Sequence, residues 1–534
     1  MKYGKKWMAC SLAFILSLSG CSSQNSSSLT ESTAETETVV QETVGPPVRG
    51  GELNLCVTIQ PNALGYPGEM SSTYDFLVSS PAVETLGRID EEGNVCGWLV
   101  KSWDMDPEKY TYTLHLQEGV TFHDGTPFDA EAVKYNLETT LAAKGVKFSV
   151  QLEFVVQDAH TLVIQMDGWN STLMNDLLVN YGCIVSPAYL KSVDQDTAVK
   201  NPVGTGPYRF VEWKQEELVR YQKNSDYWGG EPYLDEMTIY LFSDPSTAIS
   251  AIQTGEVDGV MYADSTVTEA LVNQEGVVKT SRNVAAGCSS WGLFWSADEG
   301  LPTADVRVRQ ALSYAIDSKK IADAFSNIGY VYTNQFGAVS SWGYNEEVAG
   351  YEYNPEKAKE LLAEAGYADG FTYTAYVNAG SKVAVTVMEL VQAYLSMVGV
   401  DLEIKQIDMA KQTEMIFGAG WDGVIASGVN GTPENSLNFL RRMFGGDEKC
   451  MLNCSLVDIP EVVELGDQAL VAKAEEEKRQ LAREMQTYIV DEACAFTPLM
   501  TSHSNAFTTD KVHDSYLGYY YSQFWCPEKV WVSK

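Results

Sequence analysis

Residues 110–137, YTYTLHLQEGVTFHDGTPFDAEAVKYNL, read as a strand, two turns and a helix in one short run. Tyr110, Tyr112, Leu114 and Leu116 alternate with Thr111, Thr113, His115 and Gln117, the period of a strand with one buried face. Gly119 turns the chain, residues 120–122 return as the second arm of a hairpin, and Asp124-Gly125 turns it again. Residues 127–137 then predict a helix, with acidic residues early and Val133 and Leu137 on one face.

The same change of period recurs down the chain. Asp305 can cap a helix over 306–315, with Val308, Ala311, Leu312 and Ala315 on one stripe, and Asp317 caps the next over 318–325. Asn354 and Pro355 open a helix over 356–365 that Gly366 closes. An apolar-faced helix over 385–397 leads through Gly399 into a strand over 400–407. Residues 475–490 are amphipathic through Leu481, Met485 and Ile489. Ordered structure should begin with an edge-like strand at 49–55, after Pro46-Pro47. Strands alternating with helices predict an α/β protein of several lobes. Nothing repeats at a solenoid period.

The amino terminus is of a different kind. Lys2, Lys5 and Lys6 precede an apolar run over 7–18, shorter than the roughly 20 residues a membrane span requires, so it reads as an export signal. Leu18-Ser19-Gly20-Cys21 resembles the bacterial lipobox, which implies cleavage after residue 20 and a lipid on Cys21. The alternative is an ordinary secretory cleavage with Cys21 incidental. Residues 21–46 are Ser, Thr, Glu and Gln with almost nothing to bury, and are expected to remain a disordered tether. About 490 residues remain, too many for one core. The formal charge of −35 becomes −38 once the three leader lysines are removed. So acidic a surface repels phosphate backbones, which excludes nucleic acid as a partner and leaves membrane attachment to the acyl chains. Setting aside Cys10 and Cys21, eight cysteines remain in an exported chain, so disulfides are possible, with Cys450 and Cys454 the nearest pair. No CxxC pair exists, and a monomer is expected.

Several further stretches complete a pattern. Leu99-Val100-Lys101-Ser102-Trp103, the 110–116 strand, Phe122-His123-Asp124-Gly125-Thr126-Pro127-Phe128 and Val203-Gly204-Thr205-Gly206-Pro207-Tyr208 come first. Asn224, Tyr227-Trp228, Gly255-Glu256-Val257-Asp258, Asp305-Val306-Arg307-Val308-Arg309-Gln310-Ala311-Leu312 and Tyr353-Asn354-Pro355-Glu356 follow in order. Together they resemble the family 5, peptide/nickel-type solute-binding proteins of ABC importers over nearly all of residues 49–534. The resemblance implies a two-lobed, periplasmic-binding-protein-like fold (type II, cluster C) with an extra subdomain in the first lobe. Lobe I would comprise 47–82, 201–285 and 492–534, the extra subdomain 83–200, and lobe II 286–491. It also implies a lipid-anchored extracytoplasmic receptor that captures a solute between lobes for a permease and its ATPase. That membrane could face a Gram-positive exterior or a periplasm. A sensory lipoprotein on the same fold is the alternative.

Chemistry was sought separately. There is no GxSxG elbow, HExxH helix or Walker loop, and the five histidines are scattered, so neither catalysis, cofactor nor resident metal is expected. His123-Asp124 reads as a hairpin-holding pair. Gly204-Thr205-Gly206 lacks the Lys of a phosphate loop and reads as a domain-crossing turn.

For the ligand, the resemblance is informative by absence. Peptide binders of the family pair the ligand's amino group with an Asp just after a second-lobe strand. In the segment 423–434 that position falls on Asn430 or Gly431, and the nearest acid is Glu434. Dipeptide binders hold the carboxylate with an Arg at the start of the long helix, where Ser381-Lys382-Val383 offers only Lys382. A buried charged terminus without its partner costs of the order of several kcal/mol. Either Glu434 and Lys382 have taken over both ends, or the ligand lacks charged ends. An oligopeptide or modified peptide is the default ligand; a metal chelate, glycoside or other small organic solute is the alternative. Ser427, Gly428, Val429, Asn430 and Gly431 suggest a roomy site or close backbone approach. Tyr66, Trp291 and Trp421 would serve as stacking surface or as core.

Overall fold

The computed structural model describes residues 45–90, 93–280, 288–430, 437, 440–444, 455–503, 505–518 and 525–534. Pro47–Lys534 form one compact unit, which holds every element below. A seven-stranded sheet heads the first lobe in the order Tyr208–Lys214, Leu218–Lys223, Glu236–Leu241, Glu52–Val57, Gly259–Ala263, Asn505–Thr509, Val277–Lys279. The expected edge strand is therefore an interior one: Glu52–Val57 lies parallel to both Glu236–Leu241 and Gly259–Ala263. Leu53, Leu55, Cys56 and Val57 are all buried, as in a strand covered on both faces.

A six-stranded sheet heads the second lobe: Tyr330–Tyr332, Phe496–His503, Cys288–Trp295, Val424–Asn430, Phe371–Asn378, Val400–Ile407. Phe371–Asn378 and Val400–Ile407 run parallel, joined by the helix Lys382–Ser396. That helix starts three residues earlier than 385 because the Ser381 side chain accepts from Ala384 N. Val383, Val387, Val391 and Leu395 recur every fourth residue and, with Ala384 and Met388, are buried against the sheet. At about 1.5–3 kcal/mol per fully buried Val, Leu or Met, this stripe holds the helix in place. Helices Pro460–Val471 and Glu475–Thr487 cover the opposite face. Phe496–His503, expected in the first lobe, pairs here with Cys288–Trp295, because Phe496, Leu499 and Met500 complete the second-lobe cores. The caps at Asp305, Asp317 and Asn354 form as expected, each side chain accepting a backbone N–H of its helix.

The segment that opened the sequence reading lies in a four-stranded antiparallel sheet, Val100–Asp106, Thr111–Leu116, Thr161–Met166, Leu152–Asp158. Tyr112, Leu114 and Leu116 are buried as predicted. Tyr110 is not: it takes a left-handed φ of 56° before the strand and is exposed. Nor do residues 120–122 return along the strand, since both its edges are taken by Val100–Asp106 and Thr161–Met166. They fold instead into a tight loop, closed by Phe122 N to Thr126 O and Phe128 N to Val120 O, that sinks Val120, Phe122 and Phe128 into the core. The helix runs Ala130–Lys144, with Asp129 as cap and Gly145 as its left-handed stop.

Two polar clusters seat this small sheet on the first lobe. The Glu84 carboxylate, fully buried, accepts from Trp98 Nε1 (2.7 Å), the Tyr227 hydroxyl (2.7 Å), Trp228 Nε1 (2.9 Å) and Thr205 Oγ1 (2.8 Å). Arg88 lies 3.4 Å over the Trp98 ring and pairs with Glu528 at 3.2 Å. Burial pushes the Glu84 pKa up, against the pull of these donors and Arg88. In the second cluster, His123 N donates to Gly204 O and His123 Nε2 donates to Gly206 O (2.9 Å). Arg209 donates to His123 O and to Asn224 Oδ1, and Asn224 Nδ2 donates to Gly206 O. A Cβ on Gly204 would stand 2.2 Å from Ala82 O, and one on Gly206 2.5 Å from Pro81 O, so only glycine fits the crossing.

Glu84→Ala strands the four buried donors, and is expected to lower the unfolding free energy by about 3–5 kcal/mol. Denaturant titration at neutral pH checks it; a loss below about 1 kcal/mol would refute the role. Burial lowers the His123 pKa to about 4. Unfolded histidine titrates near about 6.5, so stability is complete above that pH and is lost as pH falls toward 4. His123→Gln, which keeps an N–H for Gly206, should show a shallower fall of Tm across this window than the parent. Parallel slopes would exclude His123 as the cause.

Candidate functional site

The carboxyl ends of Phe371–Asn378, Val400–Ile407 and Val424–Asn430, three strands running parallel, open on one side of the second-lobe sheet. In open α/β sheets the crevice outside such ends is where ligands bind. Asn378 ends the first strand, Met409 follows the second, and Ser427 and Gly428 lie on the third. They line a cavity of about 610 Å³, within the range that encloses small ligands. The amino end of the helix Lys382–Ser396 adds Ser381 and Ala384. The helix Met409–Glu414 adds Gln412 and Thr413, and the wider helical turn Met415–Ala419 adds Ile416 and Phe417. Single wide turns of this kind recur at functional sites. Tyr262, on the first-lobe strand Gly259–Ala263, faces in from the other lobe.

The wall is aromatic and uncharged. Trp291 meets Tyr330 edge-on at 6.5 Å, and Phe294 stacks toward Phe496. Trp421 is 5% exposed; its indole Nε1 donates to Phe294 O and its backbone N to Ser455 Oγ. Met409 and Phe417 stand exposed at the rim. The polar groups are Asn378, Ser381, Gln412, Thr413 and Ser427. Several of them serve the scaffold: Ser381 caps its helix and Gln412 Nε2 donates to Ala426 O at 3.1 Å. Among the described residues, no Asp, Glu, Lys, Arg or His lines the cavity. A wall of these described residues removes little hydration from charged groups on closure, and itself offers a buried ligand charge no opposite charge.

Of the residues expected at the site, Ser427, Gly428 and Trp421 come together here, with Trp291. Val429 and Asn430 continue the same strand. Gly431 and Glu434 lie outside the described residues, as do Cys21, Cys450 and Cys454. Lys382 sits at the mouth, but its ammonium is exposed and pairs with Glu269 of the first lobe at 3.0 Å. Tyr66 is elsewhere, with its ring against Gly68 beside Ala143, and does not line the cavity. Cys56, Cys96, Cys183, Cys494 and Cys526 are free thiols. Sequence reasoning missed Tyr262, Asn378, Met409, Gln412 and Phe417. The position of Met409 just beyond the predicted strand over 400–407 was the available signal for that residue.

No helix among the described residues is long and apolar enough to cross a membrane. Residues 94–449 match the family model described as bacterial extracellular solute-binding proteins, family 5 Middle. Heme-binding protein A of Haemophilus influenzae is 28% identical over 433 residues, covering 74% of this chain and 77% of its own. The glutathione-binding protein GsiB of Pectobacterium atrosepticum is 30% identical over 365 residues, with coverages of 66% and 69%. Among solved structures, HbpA2 from Haemophilus parasuis superposes with a TM-score of 0.77 at 22% identity, covering 91% of this chain and 100% of its own.

Proposed function

The chain belongs to the bacterial extracellular solute-binding proteins of family 5, and from that premise we propose that it is the lipid-anchored receptor of an ABC importer. It encloses an oligopeptide or modified peptide between its lobes and delivers it to the permease and its ATPase. On this reading it is a receptor and not an enzyme, and Cys21 carries the lipid. Residues 22–45 supply the slack, raising the local concentration of loaded receptor beside the permease.

The observation that supports the ligand class is the uncharged cavity wall. A zwitterionic dipeptide would bury two charges against Trp291, Trp421, Ser427 and Gly428 with no partner on any of them. A longer or end-blocked peptide places only side chains and backbone there. A planar hydrophobic solute is the second reading, favoured by Tyr262, Trp291, Phe294 and Trp421 around one space and by the likeness to heme-binding protein A.

Native mass spectrometry of the protein as purified tests both. The expected result is a non-covalent adduct that fragments as amino acids and is colourless; a coloured or non-peptide adduct overturns the peptide reading. Trp291→Ala is expected to weaken retention about tenfold through lost stacking and area. Lys382→Ala should stay within about twofold, because its exposed pair with Glu269 contributes little. Glu434→Gln weakening retention as much as Trp291→Ala would mark Glu434 as an amine anchor; unchanged retention would remove it.

A further inference from the structure

We propose that a latch outside the cavity wall holds the second lobe against the four-stranded sheet, with Trp169 and Ser171 as positioning residues for solute capture. Its link to capture rests on the receptor reading; the latch itself does not. The last carbonyls of an α-helix have no partner within the helix. At the carboxyl end of the helix Pro460–Val471 those groups are met from another body of the molecule. Ser171 Oγ donates to Ala469 O (2.7 Å), Ser171 N to Leu470 O (2.8 Å), and Trp169 Nε1 to Ala472 O (2.8 Å). The negative end of the helix dipole strengthens each of them.

The donors are held in advance. The Trp169 ring stacks on Tyr112 at 4.8 Å, and Tyr112 is fully buried in the core of the small sheet. The Tyr112 hydroxyl donates to Asn170 O, while Asn170 Oδ1 accepts from both Thr172 N and Thr172 Oγ1. The loop between Trp169 and Ser171 therefore loses little freedom when it docks. Helix Pro460–Val471, for its part, is packed into the second-lobe core through Val462 and Ala469. The donors stand on the core of the small sheet and the acceptors on a second-lobe core, so the three bonds exist only while those two cores stay together. Around them lie Lys473–Glu108 at 2.6 Å and Arg479 Nη2 to Asn94 Oδ1 at 2.8 Å. The Lys473–Glu108 pair is exposed and adds little. The buried Trp169 bond is worth up to about tenfold in the equilibrium between joined and parted bodies.

Two ligand-free measurements on the whole protein test this: hydrogen exchange at the Ser171 amide, and small-angle scattering. Trp169→Phe keeps the stack on Tyr112 and loses the N–H. It is expected to speed Ser171 exchange up to about tenfold and to raise the radius of gyration, with Ser171→Ala acting in the same direction. Unchanged exchange and scattering in both variants would overturn the latch. Faster exchange with identical scattering would also overturn it, reducing the contacts to a local helix cap. Should Trp169→Phe fail to fold, Ser171→Ala decides alone. Neither readout involves a solute, so failure of the peptide reading leaves this test standing.

Discussion

The small four-stranded sheet is seated on the first lobe by one buried carboxylate. A charge out of water is tolerated only when its lone pairs are filled, and Glu84 fills its own from Trp98, Thr205, Tyr227 and Trp228. These donors come from segments more than a hundred residues apart, and Arg88 brings in Glu528 near the carboxyl terminus. The chain must bring all of them to one point or leave a charge stranded. That requirement fixes where the small sheet sits, and so where its loop at Trp169 and Ser171 points. The neighbouring knot of His123, Asn224 and the two close-packed glycines, tied together by the Arg209 guanidinium, makes the same joint rigid.

The second lobe is joined differently. The consecutive strands Phe496–His503 and Asn505–Thr509 belong to opposite sheets, so the chain passes from one lobe to the other between them. Asn505 Nδ2 donates to Ile328 O in one direction and to Thr268 Oγ1 in the other, fastening the crossing itself. Away from that line Lys382 pairs with Glu269 across the large lobes, in an exposed position. A stiff joint between the small sheet and the first lobe and a separate crossing between the two large lobes is the mechanical layout of a hinged pair.

Local chemistry was the legible part of the sequence. Asp305, Asp317 and Asn354 announced their helices because a cap acts within three residues, and the strand Val400–Ile407 was recognisable from its own pattern and the preceding Gly399. What depended on a distant partner was read less well. Glu52–Val57 has the sequence of a strand, but only Glu236–Leu241 and Gly259–Ala263 make it an interior one. Residues 120–122 looked like a return arm because nothing local says that Thr161–Met166 already holds that edge. The cavity was legible in the same measure. Ser427 and Gly428 lie in the segment the family resemblance singled out and Trp421 two residues before it, whereas Tyr262, Asn378 and Gln412 join them only through the fold. Lys382 was the right cation by position and the wrong one by partner, since Glu269 lies 113 residues away in another lobe.

The uncharged cavity and the outlying latch are two parts of one energetic problem. An ion pair buried at the cargo must be broken when the cargo is handed on, a cost that opposes release and that binders with charged clamps bear. A cavity walled by Trp291, Phe294, Trp421 and small polar groups avoids that, but gives modest orientation and little charge-based selectivity. Closing the lobes then needs free energy from somewhere other than the solute. Contacts such as those of Trp169 and Ser171 supply it whatever the cavity contains, shifting the resting equilibrium so that a ligand of modest differential affinity completes the closure. The same contacts limit how far that equilibrium can be biased. Were they much stronger, the empty receptor would close as readily as the loaded one, and a permease could not tell the two apart.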